Sequence, residues 1–269
     1  MLGKLLKYEI PAVGRQLAPM YLAWLAASIL LGITIGRFDN SSFFIVIPVL
    51  VYFGVTVAVF VMAVVLIIQR YYNSLFGDEA YFNQVLPVSA GAHILSKTLT
   101  ALVWTVLTSL AAILSGLIIA LLAGSMAGVW AGEPISVNWA DLWNAFSSDF
   151  KFAQAILIMI EFLVACIFSV VKSILAVYAA ITIGQIFRKH VVLASIGAYI
   201  GLLVFESTVG NIFITILGLS GQQAELESFV SGATGMQIMF GVAILASLAL
   251  STVYFFICRY FMENKLNLA

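Results

Sequence analysis

Three ionisable side chains stand inside stretches that are otherwise apolar: Glu161 and Lys172 in one such stretch, and Glu206 in the next. A charge among acyl chains costs about 2.5–3.5 kcal/mol on insertion scales, so each is a candidate for binding or passage by default. A carboxylate and an ammonium can neutralise one another, hold an oppositely charged group of a cargo, or line a polar path. Glu161 and Lys172 are eleven positions apart. On a helix that spacing returns to nearly the same face but separates them by about 16 Å, too far to pair. Lys172 is therefore expected to snorkel toward the membrane surface or to meet an acceptor on a neighbouring helix. Glu161 and Glu206 are expected to face the protein interior toward the outer leaflet. A structural contact between helices and the lining of a translocation path both fit these residue types.

Other reactive types carry less. Cys166 and Cys258 lie in apolar runs, without metal-ligand spacing to each other or to His93 and His190, and read as small core residues. The GLSG motif at 218–221 matches the serine motif of intramembrane rhomboid proteases, but no histidine follows Ser220 to serve as its base, so a turn is the better reading. No G-x-x-x-x-G-K-[ST] phosphate loop occurs, so the chain does not cradle ATP in that way. No catalytic residue and no metal site is assigned.

The elements that position these charges follow from hydropathy. Of 269 residues, 63% are hydrophobic and 9% charged, against roughly 25% charged in a soluble domain. FFIVIPVLVYFGVTVAVFVMAVVLII, residues 43–68, is uncharged over more than the ~20 residues that cross a bilayer as a helix. Lipid offers the backbone no hydrogen bonds, and the runs lack the alternation of barrel strands, so the fold is an all-α membrane protein. Six spans are predicted, at 19–35, 43–69, 95–122, 152–187, 191–217 and 235–258. Formal net charge is zero, and no basic block suited to a phosphate backbone exists, which excludes nucleic acid as a partner.

Six spans place both termini on one side, and basic residues choose the side. With the N-terminus inside, Lys4, Lys7, Arg15, Arg70, Lys97, Arg188, Lys189, Arg259 and Lys265 are cytoplasmic; only Arg37 and Lys151 are outside. The expected location is a bacterial cytoplasmic membrane, multi-pass. Residues 1–18 form an apolar stripe of Leu2, Leu5, Leu6, Ile10, Val13 and Leu17 and read as an interfacial helix, kept rather than cleaved as a signal peptide, with Pro11 and Pro19 marking a kink and the turn into the first span. The outer loop at 123–151 carries an amphipathic helix with Trp139, Leu142, Trp143 and Phe146 at i, i+3, i+4, i+7, suited to an aromatic belt. Gly210-Asn211 breaks the fifth run, giving an outer loop region at 208–234.

Between spans two and three, residues 70–94 form a polar, turn-rich hairpin much longer than a connector needs. Tyr72, Leu75, Phe76, Phe82 and Leu86 recur with helical spacing, and Asp78 and Glu79 interrupt at Gly77, so the passage offers aromatics and acids for another protein to dock on. Its motifs, Gly77-Asp78-Glu79, Leu86-Pro87-Val88-Ser89 and Ile94-Leu95-Ser96-Lys97, resemble the signature after the second span in permease subunits of ATP-binding-cassette transporters of the type-2 exporter family. LLKYEI near the start and IGQIFRKHVVLASIGAYI at the join of spans four and five resemble small permeases of Gram-positive bacteria in the same way, and Pro11 departs from them.

The resemblance implies one permease domain over 1–269, working beside a second copy or a paralogue in the lipid bilayer. It implies a coupling helix that seats in a separate cytosolic ATPase subunit through Tyr72, Phe76, Gly77, Asp78, Glu79, Phe82, Leu86, Pro87, Ser89 and Lys97, with ATP and Mg on that partner and no cofactor on this chain. It also implies a re-entrant helix pair before the last span, and export of a peptide, antimicrobial or amphipathic drug along a path to which Glu161, Lys172 and Glu206 contribute. The reading of a different class is a non-transporting membrane protein, an intramembrane enzyme or a sensor-associated scaffold, whose hairpin docks something other than an ATPase.

Overall fold

The computed structural model describes residues 2–37, 43–77, 90–131, 140, 152–187, 189–216 and 233–264. They form six long helices: α1 (Leu2–Arg37), α2 (Phe43–Leu75), α3 (Ala90–Ala131), α4 (Phe152–Gly184), α5 (Val191–Ile216) and α6 (Ala233–Asn264). Each contains a segment of 22 to 35 residues long and apolar enough to cross a membrane. Large apolar side chains face outward along them. On α2, Phe44, Ile47, Leu50, Phe53, Val57, Val61 and Val64 make an exposed stripe at helical spacing. A soluble protein does not leave such a surface to water, whereas in lipid it is the outside of the fold. The chain is a multi-pass, all-α membrane protein.

One compact unit comprises 1–86 and 99–138. Within it α1 and α2 run antiparallel, with Val13, Leu17, Ala63 and Leu66 forming a buried cluster against which Tyr21 and Trp104 pack. Further along, Trp24 Nε1 donates to Thr56 Oγ1 at 2.8 Å. The α1–α3 contacts climb in step: Thr100 Oγ1 donates to Glu9 Oε2 at 3.4 Å, and Tyr21 Oη lies 2.7 Å from Thr108 Oγ1. Thr108 Oγ1 already donates to the Trp104 carbonyl, so the tyrosine supplies that proton. Tyr52 Oη and Ser115 Oγ, 3.0 Å apart, join α2 to α3 by the same logic, since Ser115 donates to the Ala112 carbonyl. Hydroxyls committed to their own backbone thus become acceptors for aromatic donors across the interface, a form of polar glue worth about 0.6 kcal/mol apiece in membranes. Gly32 lets α1 approach α3: a Cβ there would stand 2.8 Å from the Leu122 Cβ.

This packing bears on the turn expected at Pro19. α1 is continuous through Pro11 and Pro19, with no turn at either. From Glu9 onward it is fixed within the unit by the Glu9–Thr100 contact and by Val13 and Leu17. Each proline removes one backbone bond, and the helix runs on past both.

The second unit comprises 87–98 and 139–269. Here α4 packs on both α5 and α6. The α4–α5 corner is tight. Ile186 N donates to the Ile183 carbonyl, Phe187 N to the Gly184 carbonyl and His190 N to the Phe187 carbonyl, and the first turn of α5 begins with Ala194 N donating to the His190 carbonyl. A Cβ on Gly184 would meet Ser195 N at 2.8 Å and its Cα at 2.9 Å, so only glycine permits the two helices to leave the corner this close. The C-terminal half of α4 is buried around its circumference, from Ile174 through Thr182 with Val177 half-buried, and Tyr178 Oη donates to the Lys97 carbonyl at 3.4 Å. The N-terminal half has no buried residue among those whose side chains are described. This difference between the halves opens a cleft.

The Gly210-Asn211 break expected in the fifth span is absent. α5 continues to Ile216, and Thr215 Oγ1 donates back to the Asn211 carbonyl. One glycine costs a helix only about 1 kcal/mol, too little to end an apolar run. The remainder of 208–234 up to residue 232 lies outside the described residues, as does the proposed belt helix at 139–146 apart from Ala140.

Candidate functional site

The antiparallel course of α4 and α5 brings Lys172 opposite Glu206, and Lys172 Nζ donates to Glu206 Oε1 as an ion pair. Of the two fates open to Lys172 from its sequence, the neighbouring acceptor is the one realised. The side chains are 16% and 27% exposed. That residual exposure is toward a half-open cleft of about 810 Å³ bounded by α4, α5 and α6.

Phe162, Cys166, Ser169 and Lys172 line the cleft from α4, Glu206 and Gly210 from α5, and Phe240, Ala243, Ser247 and Leu250 from α6. Phe162 and Phe240 meet edge to face, with ring centroids 5.7 Å apart. The walls are otherwise apolar. Tyr254 is buried beyond, its hydroxyl without a hydrogen-bond partner among the described residues but within electrostatic reach of Glu206 and Tyr199. An apolar chamber of this size with one charged pair in its wall falls in the range of small-molecule sites, ~300–1,000 Å³. The pair can release either sign: an incoming amine competes with Lys172 for the carboxylate, and an incoming acid competes with Glu206 for the ammonium.

Glu161 is not part of that pair. It sits three turns earlier on α4, half-buried, and one carboxylate oxygen is sealed from solvent without a hydrogen-bond partner among the described residues. Its inward orientation agrees with the cost of a carboxylate in lipid.

The hairpin residues divide. Tyr72 is exposed near the end of α2, Phe76 packs on both Tyr71 and Tyr72, and Phe76 N and Gly77 N donate to the Tyr72 carbonyl to close the helix. Gly77 is required there, because a Cβ would lie 2.9 Å from the Asn73 carbonyl oxygen. Asp78, Glu79, Phe82, Leu86, Pro87 and Ser89 lie outside the described residues. Lys97 is 7% exposed, in the early turns of α3 beside buried His93 and Ser96.

Two features of the cleft were not anticipated from sequence. Cys166, read as a core residue, is exposed on the cleft wall, while Cys258 is fully buried. The α6 contribution was missed altogether, although Phe240, Ala243, Ser247 and Leu250 follow a 3-4-3 spacing that marks a single helix face. No known protein family, curated protein or solved structure matches the chain.

Proposed function

We propose that this chain is the membrane subunit of a transporter, passing an amphipathic cargo through the α4–α5–α6 cleft. The observation that carries the reading is the Lys172–Glu206 pair in the wall of an apolar chamber. Opening onto the chamber lets a charged group of a cargo compete for either member of the pair.

The resemblance of the 70–94 hairpin to the coupling segment of ATP-binding-cassette permeases supplies the motor: a cytosolic ATPase subunit carrying ATP and Mg, docked on Tyr72, Phe76 and the residues that follow. ATP drives transport only by binding one conformation better than the other, and that differential contact belongs to the partner. The proposed assembly holds two permease chains in a bacterial cytoplasmic membrane with termini inside, and moves cargo outward.

The test uses Glu161→Gln and Glu206→Gln, which keep shape and remove charge. A cleft in the transport path predicts that Glu206→Gln lowers cargo-stimulated ATP hydrolysis by the copurified complex without lowering the amount of complex. Unchanged stimulation in Glu206→Gln would remove the cleft from the path, and Glu161→Gln, outside the cleft lining, serves as the comparison.

A further inference from the structure

A second cavity lies in the other unit, between α1 and α2, and its chemistry is the reverse of the cleft's. It is small, about 110 Å³, and is lined by Ala12, Val13 and Gln16 of α1 and by Leu66, Gln69, Arg70 and Asn73 of α2. Its floor is apolar, because Val13 and Leu66 belong to the buried cluster. Its rim consists of three amides and a guanidinium, all able to donate. Arg70 is half-buried, and its Nε–H is sealed from solvent without a hydrogen-bond partner among the described residues. A guanidinium donor shut away from water and left unpaired is costly, and an anionic oxygen is its best complement. The nearest carboxylate along the same face of α1, Glu9, is buried and accepts from Thr100 on α3. Among the described residues of this stretch of α1, the charge beside Gln16 is basic: Arg15, exposed.

The position of the pocket identifies what comes within its reach. Residues 43–68 of α2 are uncharged and span about 38 Å at 1.5 Å per residue, enough to cross the acyl region. Gln69, Arg70 and Asn73 follow at once. They therefore sit at the level of lipid headgroups whichever way the chain is inserted. A volume of 110 Å³ is far below that of a drug or nucleotide site. It admits a tetrahedral oxyanion. Basic pockets between spanning helices at this level hold phosphorylated headgroups elsewhere.

We propose that the α1–α2 pocket binds a phosphate oxyanion presented by the headgroup of a membrane phospholipid, with Arg70 as its principal ligand and Gln16, Gln69 and Asn73 completing the donor set. The acyl chains then extend into the bilayer beside α2, on the side where Val51 and Met62 are exposed. Arg70 tethers the α1–α2 pair to the membrane surface, and its sealed Nε–H gains an acceptor when the lipid is in place.

The full chain, delipidated in mild detergent, is titrated with phosphatidylglycerol, with diacylglycerol of the same chains, and with inorganic phosphate, and bound species are counted by native mass spectrometry. The expected result is saturable binding of phosphatidylglycerol, about tenfold or more weaker in Arg70→Gln, with diacylglycerol not retained. Inorganic phosphate competing at the same Arg70-dependent site, with no gain from the acyl chains, would keep the oxyanion and overturn the lipid as its source. Equal retention of diacylglycerol, or equal affinity in Arg70→Gln of native elution volume, overturns the site. Should Arg70→Gln not fold, Gln16→Leu combined with Asn73→Leu decides at two exposed rim positions: severalfold weaker binding supports the site and unchanged binding refutes it.

Discussion

Removing one member of the Lys172–Glu206 pair is predicted to destabilise the second unit more than removing both. Two unit charges 4 Å apart attract by about 4 kcal/mol at an effective dielectric of 20. Side chains 16% and 27% exposed recover only part of that, since ordering and desolvation oppose it. Exposed pairs retain about 0.2–1 kcal/mol, and stripping a partner from a fully buried pair costs about 3–5 kcal/mol. The intermediate exposure places the coupling at about 1–3 kcal/mol. Lys172→Met should cost at least this much, because it strands a carboxylate inside the membrane fold, and Lys172→Met with Glu206→Gln should restore most of the loss. Cys258 supplies the assay: it is fully buried in α6, so in a Cys166→Ser background its reaction rate with a thiol reagent reports opening of the unit. The two single substitutions and the double give the coupling directly. Additivity within about 0.5 kcal/mol would mean that the two residues do not interact, and the reasoning that makes the pair the functional centre would fail with it.

Two further outcomes follow from the same unit. Gly184→Val should destabilise it by about 1–3 kcal/mol through overpacking, and Ser195→Ala should recover only part of the loss, because the clash includes Ser195 N and Cα; full recovery would place the strain in the hydroxyl alone, and the same accelerated Cys258 labelling reads it. A membrane-permeant maleimide should modify Cys166 in the native protein and leave Cys258 untouched until unfolding, and protection of Cys166 would mean that water does not reach the thiol from the cleft.

The spans were legible because an uncharged run longer than a bilayer is thick admits few other structures, and all six appear close to where hydropathy puts them. The three intramembrane charges were legible as candidates for the same energetic reason. Their pairing was only half legible: eleven-residue spacing ruled out Glu161 with Lys172, but choosing Glu206 required the α4–α5 corner, which Gly184 sets through a contact with Ser195 that sequence spacing does not reveal. The turn at Pro19 and the break at Gly210 were overread. Pro11, Pro19 and Gly210 each weaken a helix locally, yet all three are carried through by continuous helix, in α1 with packing on α2 and α3. The cleft wall on α6 went unseen because Ser, Ala and Leu in an apolar run look alike whether they face lipid, a neighbouring helix or a cavity.

The central claim is that a separate ATPase works through the hairpin at 70–94, and the most direct measurement is the stoichiometry of what stays bound to the chain. Full-length protein is extracted from its native membrane in mild detergent, and the copurifying subunits are quantified for wild type and for Phe82→Glu. The account predicts an ATP-hydrolysing subunit carrying a phosphate-binding loop, near one per permease chain, that is lost from Phe82→Glu while the permease itself remains inserted and folded. A chain that elutes without such a subunit, or one that keeps it undiminished when the hairpin is altered, contradicts the account.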